Sequence, residues 1–175
     1  MDKALEEANR QYALGEKTND IAVMTGDLQL KGNVVLEMGR PDEAKALFER
    51  GLKMTEESTL SQETKDNAKL FHHYNLAHVA IVKKDLPTAS TEAEAYRKGT
   101  ATLKNPFQTK LAHELMDMIA LAARDYSTAL AKLQQANQQN PYDLYRQCQA
   151  RRGIGKISAR RIFAPGLLLS IPCRS

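Results

Sequence analysis

The stretch from Gly32 to Leu52, GNVVLEMGRPDEAKALFERGL, constrains this chain more than any other. It divides at Gly39, Arg40 and Pro41: one apolar-periodic run ends at Met38 and a second starts at Asp42. Gly39 suits the left-handed residue that closes a helix, and Pro41 suits the first turn of the next helix, where its missing N–H is no loss. Two helices joined by so short a turn lie antiparallel. Gly32 and Ala44 are small enough for the backbones to approach closely, and Val35, Leu47 and Phe48 fill the space beside them.

This pattern resembles the tetratricopeptide repeat, a unit of about 34 residues made of two helices. Framed on residues 25–58, the repeat's characteristic places are held by Leu28, Gly32, Val35, Gly39, Ala44, Phe48 and Leu52. Lys31 stands where the family usually has leucine, and Gly51 stands at a small-residue place usually held by alanine. The resemblance implies an all-α fold, an antiparallel helix-pair α-solenoid wound into a right-handed superhelix. The motif residues of this family pack helices and carry no chemistry.

Composition agrees with helices. There is no Trp, only four Phe and six Tyr, and Ala and Leu are plentiful. No apolar run approaches the ~20 residues of a membrane span; the longest, Ile162 to Ile171, is interrupted by Pro165 and Gly166. Cys148 and Cys173 form neither a disulfide framework nor a metal-binding spacing. The net charge of +4 misleads, because six basic residues and no acidic ones lie from Arg151 onward, leaving 19 basic against 21 acidic in residues 1–150. Nucleic acid is therefore not an expected partner of residues 1–150.

Along the chain, residues 1–17 read as the second half of a unit, with Ala4 and Ala8 set against Ala44 and Phe48. A chain opening in mid-unit is expected either from a longer solenoid or from an atypical capping helix. Ser58 to Ser61 break the pattern, and Ser58, Thr59 or Ser61 can cap a helix running to about Lys84, roughly seven turns. A second unit, 70–103, has Leu76, Ala77, Ala89, Ala93 and Tyr96 at the motif places and Pro87 in the first turn of its second helix. A third, 110–143, has Asp125, Tyr126, Ala129, Leu133, Ala136 and Pro141. Asp117 falls at a small-residue place there, so a slight helix shift or a partly exposed carboxylate is expected. Residues 142–150 begin a further unit. Residues 151–175 abandon the pattern: a native basic tail, an unusual cap, and a shifted reading frame or junction are the open readings, and the abrupt change of composition favours the last.

Catalytic and metal signatures are missing from the sequence. His72, His73, His78 and His113 lack the spacing of a zinc site and read as satisfied, partly buried side chains. No phosphate loop, nucleophile elbow or dinucleotide fingerprint occurs, so neither enzymatic activity nor a cofactor is expected. The paired carboxylates, such as Glu56 and Glu57, read as solvated charge near helix ends.

The resemblance implies a concave groove lined by the first helix of each unit. By motif position the partner-binding residues are Gln29, Asn33 and Glu37, then Phe71, Tyr74, Asn75 and His78, then Glu114 and Met118. Leu30, Leu36, Ile81, Val82, Leu115 and Leu121 join that lining; the alternative for Leu30, Leu36, Ile81, Met118 and Leu121 is burial against neighbouring helices. Asn33 and Asn75 offer amides to a peptide backbone. They also fall where the family's carboxylate-clamp members place asparagines, but Gln29, Leu111 and Leu115 replace the clamp's cations, so a terminal carboxylate is not expected as ligand. The expected role is a scaffold binding a peptide or protein segment. The alternatives are self-association through the end repeats, or a regulatory or sensor domain of a longer enzyme.

Overall fold

A computed structural model describes residues 2–103, 105–137 and 139–155. These residues form helices α1 (Asp2–Thr18), α2 (Ile21–Glu37), α3 (Pro41–Glu57), α4 (Gln62–Val82), α5 (Leu86–Leu103), α6 (Pro106–Ala122), α7 (Tyr126–Leu133) and α8 (Pro141–Gly153), with no strand among them. The fold is all-α, and within each of two compact units helices adjacent in sequence pack on one another in a solenoid-like manner, α1 to α4 in the first and α6 to α8 in the second. Two compact units divide the chain, residues 1–102 and 103–175. The residues from 156 onward, including Cys173 and most of the basic segment, lie outside the described ones.

One turn recurs. At Gly39 the backbone is left-handed (φ +74°), with the Gly39 N–H donating to Leu36 O at 2.9 Å and the Arg40 N–H to Val35 O at 3.0 Å. This pair of bonds is the Schellman closure, which satisfies carbonyls left open at a helix end. The same closure stands at Asn19 (φ 50°), Lys84 (φ 61°) and Arg124 (φ 61°), none of them glycine. An aspartate follows each of these three and caps the next helix: Asp20 accepts from the Val23 N–H (3.1 Å), Asp85 from Thr88 (3.2 Å) and Asp125 from Thr128 (3.1 Å). At the longer break between α3 and α4 it is Ser61 that caps, accepting from the Thr64 N–H at 3.2 Å.

In the first unit, α2 and α3 meet as the small residues require. A Cβ on Gly32 would lie 2.2 Å from Phe48 Cε1, so the ring occupies the space that glycine leaves. Val35, Leu36, Ala44 and Phe48 are buried together with Val79 of α4. Tyr12 of α1 packs with Met24 and Leu28, and its hydroxyl accepts a 2.6 Å hydrogen bond from Arg50. Lys31 holds its ammonium 4.7 Å from the centre of the Tyr12 ring. Between α4 and α5 the rings of Phe71 and Tyr74 stack at 5.0 Å, and Tyr74 leans on Tyr96 at 5.4 Å.

The second unit buries Ala120, Ala129, Leu133 and Ala150, joining α6, α7 and α8. Helix α7 is short, eight residues, and Ala136 is buried in the turn beyond its end.

Three sequence expectations need correction. Ala4 is exposed and Ala8 is fully buried, so α1 aligns with α3 through Ala8, Tyr12 and Gly15 against Ala44, Phe48 and Gly51, one helical turn from the register read in sequence. Helix α4 has 21 residues, about six turns rather than seven. Asp117 is fully buried within an uninterrupted α6, so its carboxylate is not partly exposed.

Candidate functional site

In the first unit a cleft of about 330 Å³ opens between α2, α3 and α4. Its walls are Thr25 and Gln29 from α2, Leu47, Phe48, Leu52 and Thr55 from α3, and Phe71, His72 and Asn75 from α4, with Ala22, Gly26, Gly51 and Ala68 between them. A Cβ placed on Gly26 would meet no atom within 4 Å, so that flank stands open. None of the lining residues is an Asp, Glu, Lys or Arg. Burial holds His72 below the ordinary imidazole range against the pull of Glu49, so the lining is uncharged at neutral pH.

Gln29 and Asn75 form the polar end of this cleft. Gln29 Nε2 donates to Asn75 Oδ1 at 2.8 Å and Asn75 Nδ2 donates to Gln29 Oε1 at 2.7 Å, a closed amide pair across α2 and α4. Gln29 Nε2 also lies 3.2 Å from Asn33 Oδ1. Three of the predicted residues are thereby brought together, with different exposure: Asn33 is exposed, Gln29 half-buried and Asn75 buried. The Asn75 amide is engaged within the protein, and Asn33 presents its remaining amide donors to solvent.

The other predicted residues separate. Phe71 lines the cleft, whereas Tyr74 and His78 lie against each other beyond it, ring centres 4.5 Å apart. Glu37 is exposed at the end of α2. Leu36 is buried in the core rather than presented, while Leu30 and Val82 are exposed. Glu114 and Met118 belong to the second unit, as do Leu115 and Leu121. Met118 and Leu121 are half-buried, and Leu115 is a fully buried core residue.

Glu114 belongs to a set that motif reading misses. Arg146 of α8 reaches three carboxylates: Glu114 Oε1 at 2.8 Å, Asp117 Oδ1 at 2.9 Å, and Asp143 Oδ1 one turn away on its own helix. The side chains of Asp117 and Asp143 have no exposed surface, and those of Glu114 and Arg146 have 12% and 13%. Neither oxygen of Asp117 accepts a well-directed hydrogen bond. Burial raises Asp117 to about 8; Arg146 opposes the rise, and Asp143 and Glu114 reinforce it. Asp143 rises to about 6, from burial and from Glu114, with Arg146 opposing. Burial alone would lower Arg146, but the three carboxylates outweigh it and leave the guanidinium raised. The sequence signal was an aspartate at a small-residue place, which calls for a buried cation.

Among the described residues no group of His, Cys, Asp and Glu is arranged to hold a metal, and no helix is long and apolar enough to cross a membrane. His73 Nδ1 lies 2.6 Å from Glu92, and His72 Nδ1 is buried without a hydrogen-bond partner, so the histidines are not uniformly satisfied. No protein-family model, no curated protein and no solved structure matches the chain.

Proposed function

We propose that this chain is a non-catalytic, tetratricopeptide-like interaction module, and that the cleft between α2, α3 and α4 takes an uncharged stretch of a peptide or protein. The observation that carries the reading is the uncharged lining, apolar for most of its wall and polar at the Gln29 and Asn75 end. An apolar side chain entering such a cleft loses water without stranding a charge, and the exposed Asn33 amide offers donors to the adjoining backbone. The helix-pair repeat supplies a rigid frame that displays the cleft at little ordering cost.

Selection from a random peptide library tests this. Enriched peptides are expected to carry an apolar residue in an uncharged core. Gly26→Leu adds a side chain where a Cβ meets no atom within 4 Å, so it should abolish their binding while leaving the melting temperature equal or higher. Absence of enrichment, or full binding by a folded Gly26→Leu variant, would sink the reading.

A further inference from the structure

The set around Arg146 has a charge imbalance that its surroundings cannot relieve. Three carboxylates face one guanidinium, and both aspartates are sealed from water. With every group ionised, two negative charges would remain uncompensated in a buried site, and Asp117 has no hydrogen-bond donor well directed at either oxygen. One proton removes much of that penalty.

We propose that α8 is a proton-dependent latch: it is held on α6 and α7 while Asp117 carries a proton, and it loosens when that proton passes to solvent. The charges acting on Asp117 come from Arg146 and Asp143 of α8 and from Glu114 of its own helix. Asp143 also receives the Asn137 backbone N–H from the preceding loop. Helix α7 carries Tyr126 and Lys132 as its ionisable side chains, and neither acts on Asp117 or Asp143. His113 and Cys148 are further titratable groups on α6 and α8. The apolar contact of Ala150 with Ala120, Ala129 and Leu133 is insensitive to pH, so the latch changes how tightly α8 is held rather than whether a partner surface exists.

The direction follows from linkage. A carboxyl raised in the folded state binds a proton that the open state releases, so docking is strongest below the ordinary aspartate range and weakens as pH rises toward about 8. One linked proton gives at most ~10-fold per pH unit.

Hydrogen exchange on the full chain, corrected for the intrinsic pH dependence of exchange, reads this directly at the amides of Leu144 to Ala150. Protection of α8 should fall up to ~10-fold per pH unit from above the Asp143 value of about 6 up to about 8, where Asp117 alone is linked. Asp117→Asn, which carries the neutral form permanently, should make the profile flat in that range, leaving only the contribution of Asp143 at lower pH. His113→Gln and Cys148→Ser should leave the slope in place. Glu114→Gln removes one like charge and should move the upper end of the slope to lower pH, which keeps the test open even if Asp117→Asn does not fold. A wild-type profile that is flat between about 6 and 8 overturns the latch, as does a slope in that range that survives in folded Asp117→Asn, disappears in His113→Gln or Cys148→Ser, or keeps its upper end in Glu114→Gln.

Discussion

Gln29 and Asn75, 46 residues apart, each donate to and accept from the other through their side-chain amides, at 2.8 and 2.7 Å. The pair fastens α2 to α4 beside the cleft, and Asn75 is 5% exposed. Removing one partner strands the other. Asn75→Ala is expected to cost about 1–3 kcal/mol, and a cycle completed with Gln29→Ala should show about 1 kcal/mol of coupling. Urea melts of the four proteins measure it, and additive losses would mean that the pair contributes nothing of its own.

Gly32 is the tightest point between α2 and α3. Gly32→Ala would set a methyl group 2.2 Å from the Phe48 ring, and the ring has no free space because it is 3% exposed. Destabilisation of about 1–3 kcal/mol is expected despite the better helix propensity of alanine. Combining it with Phe48→Leu should be milder than the sum of the two single changes. A stabilised Gly32→Ala protein would show that the two helices can separate freely.

Lys84 and Arg124 hold a left-handed backbone that side chains disfavour, and both are exposed. Lys84→Gly and Arg124→Gly should each stabilise the chain by up to about 1 kcal/mol, where glycine within a helix would do the reverse. Thermal melts decide the matter: a lower melting temperature in both would mean that their side chains make contacts outweighing the backbone strain.

Arg146→Met should be the most damaging of these changes, because it leaves Glu114, Asp117 and Asp143 buried without a cation. About 3–5 kcal/mol is expected near neutral pH. The loss should shrink as pH falls toward 5, since the stranded carboxyls then take up protons in the folded state. Guanidinium melts at pH 5 and 7.5 compare the two; equal losses would place the worth of Arg146 in its packing.

Sequence carried the helices further than it carried the cleft. Gly39 with Pro41, and alanines such as Ala44, Ala89 and Ala129, each act on residues near in sequence, so the helix pairs could be read from spacing. The turns at Lys84 and before Asp125 could also be placed from spacing, but not their left-handed residues, because there the packed helices impose a conformation that Lys84 and Arg124 do not announce. At the cleft, Asn75 could be placed on the inner face of α4, but its pairing with Gln29 depends on how two non-neighbouring helices are brought side by side. Arg146 lay further out of reach. Nothing within its own segment shows that it answers a carboxylate 29 residues earlier.

That answer bears on the order in which helix pairs can follow one another. Repeats that stack through methyl groups and alanines are interchangeable, and a designer can delete, duplicate or shuffle them. The pair α6 and α7 has given up that freedom. With Asp117 at the place that Gly32 and Ala77 hold in the earlier pairs, it accepts as its successor only a helix that brings a cation to the spot Arg146 occupies. The ion set thereby works as an address, specifying which helix can follow α7.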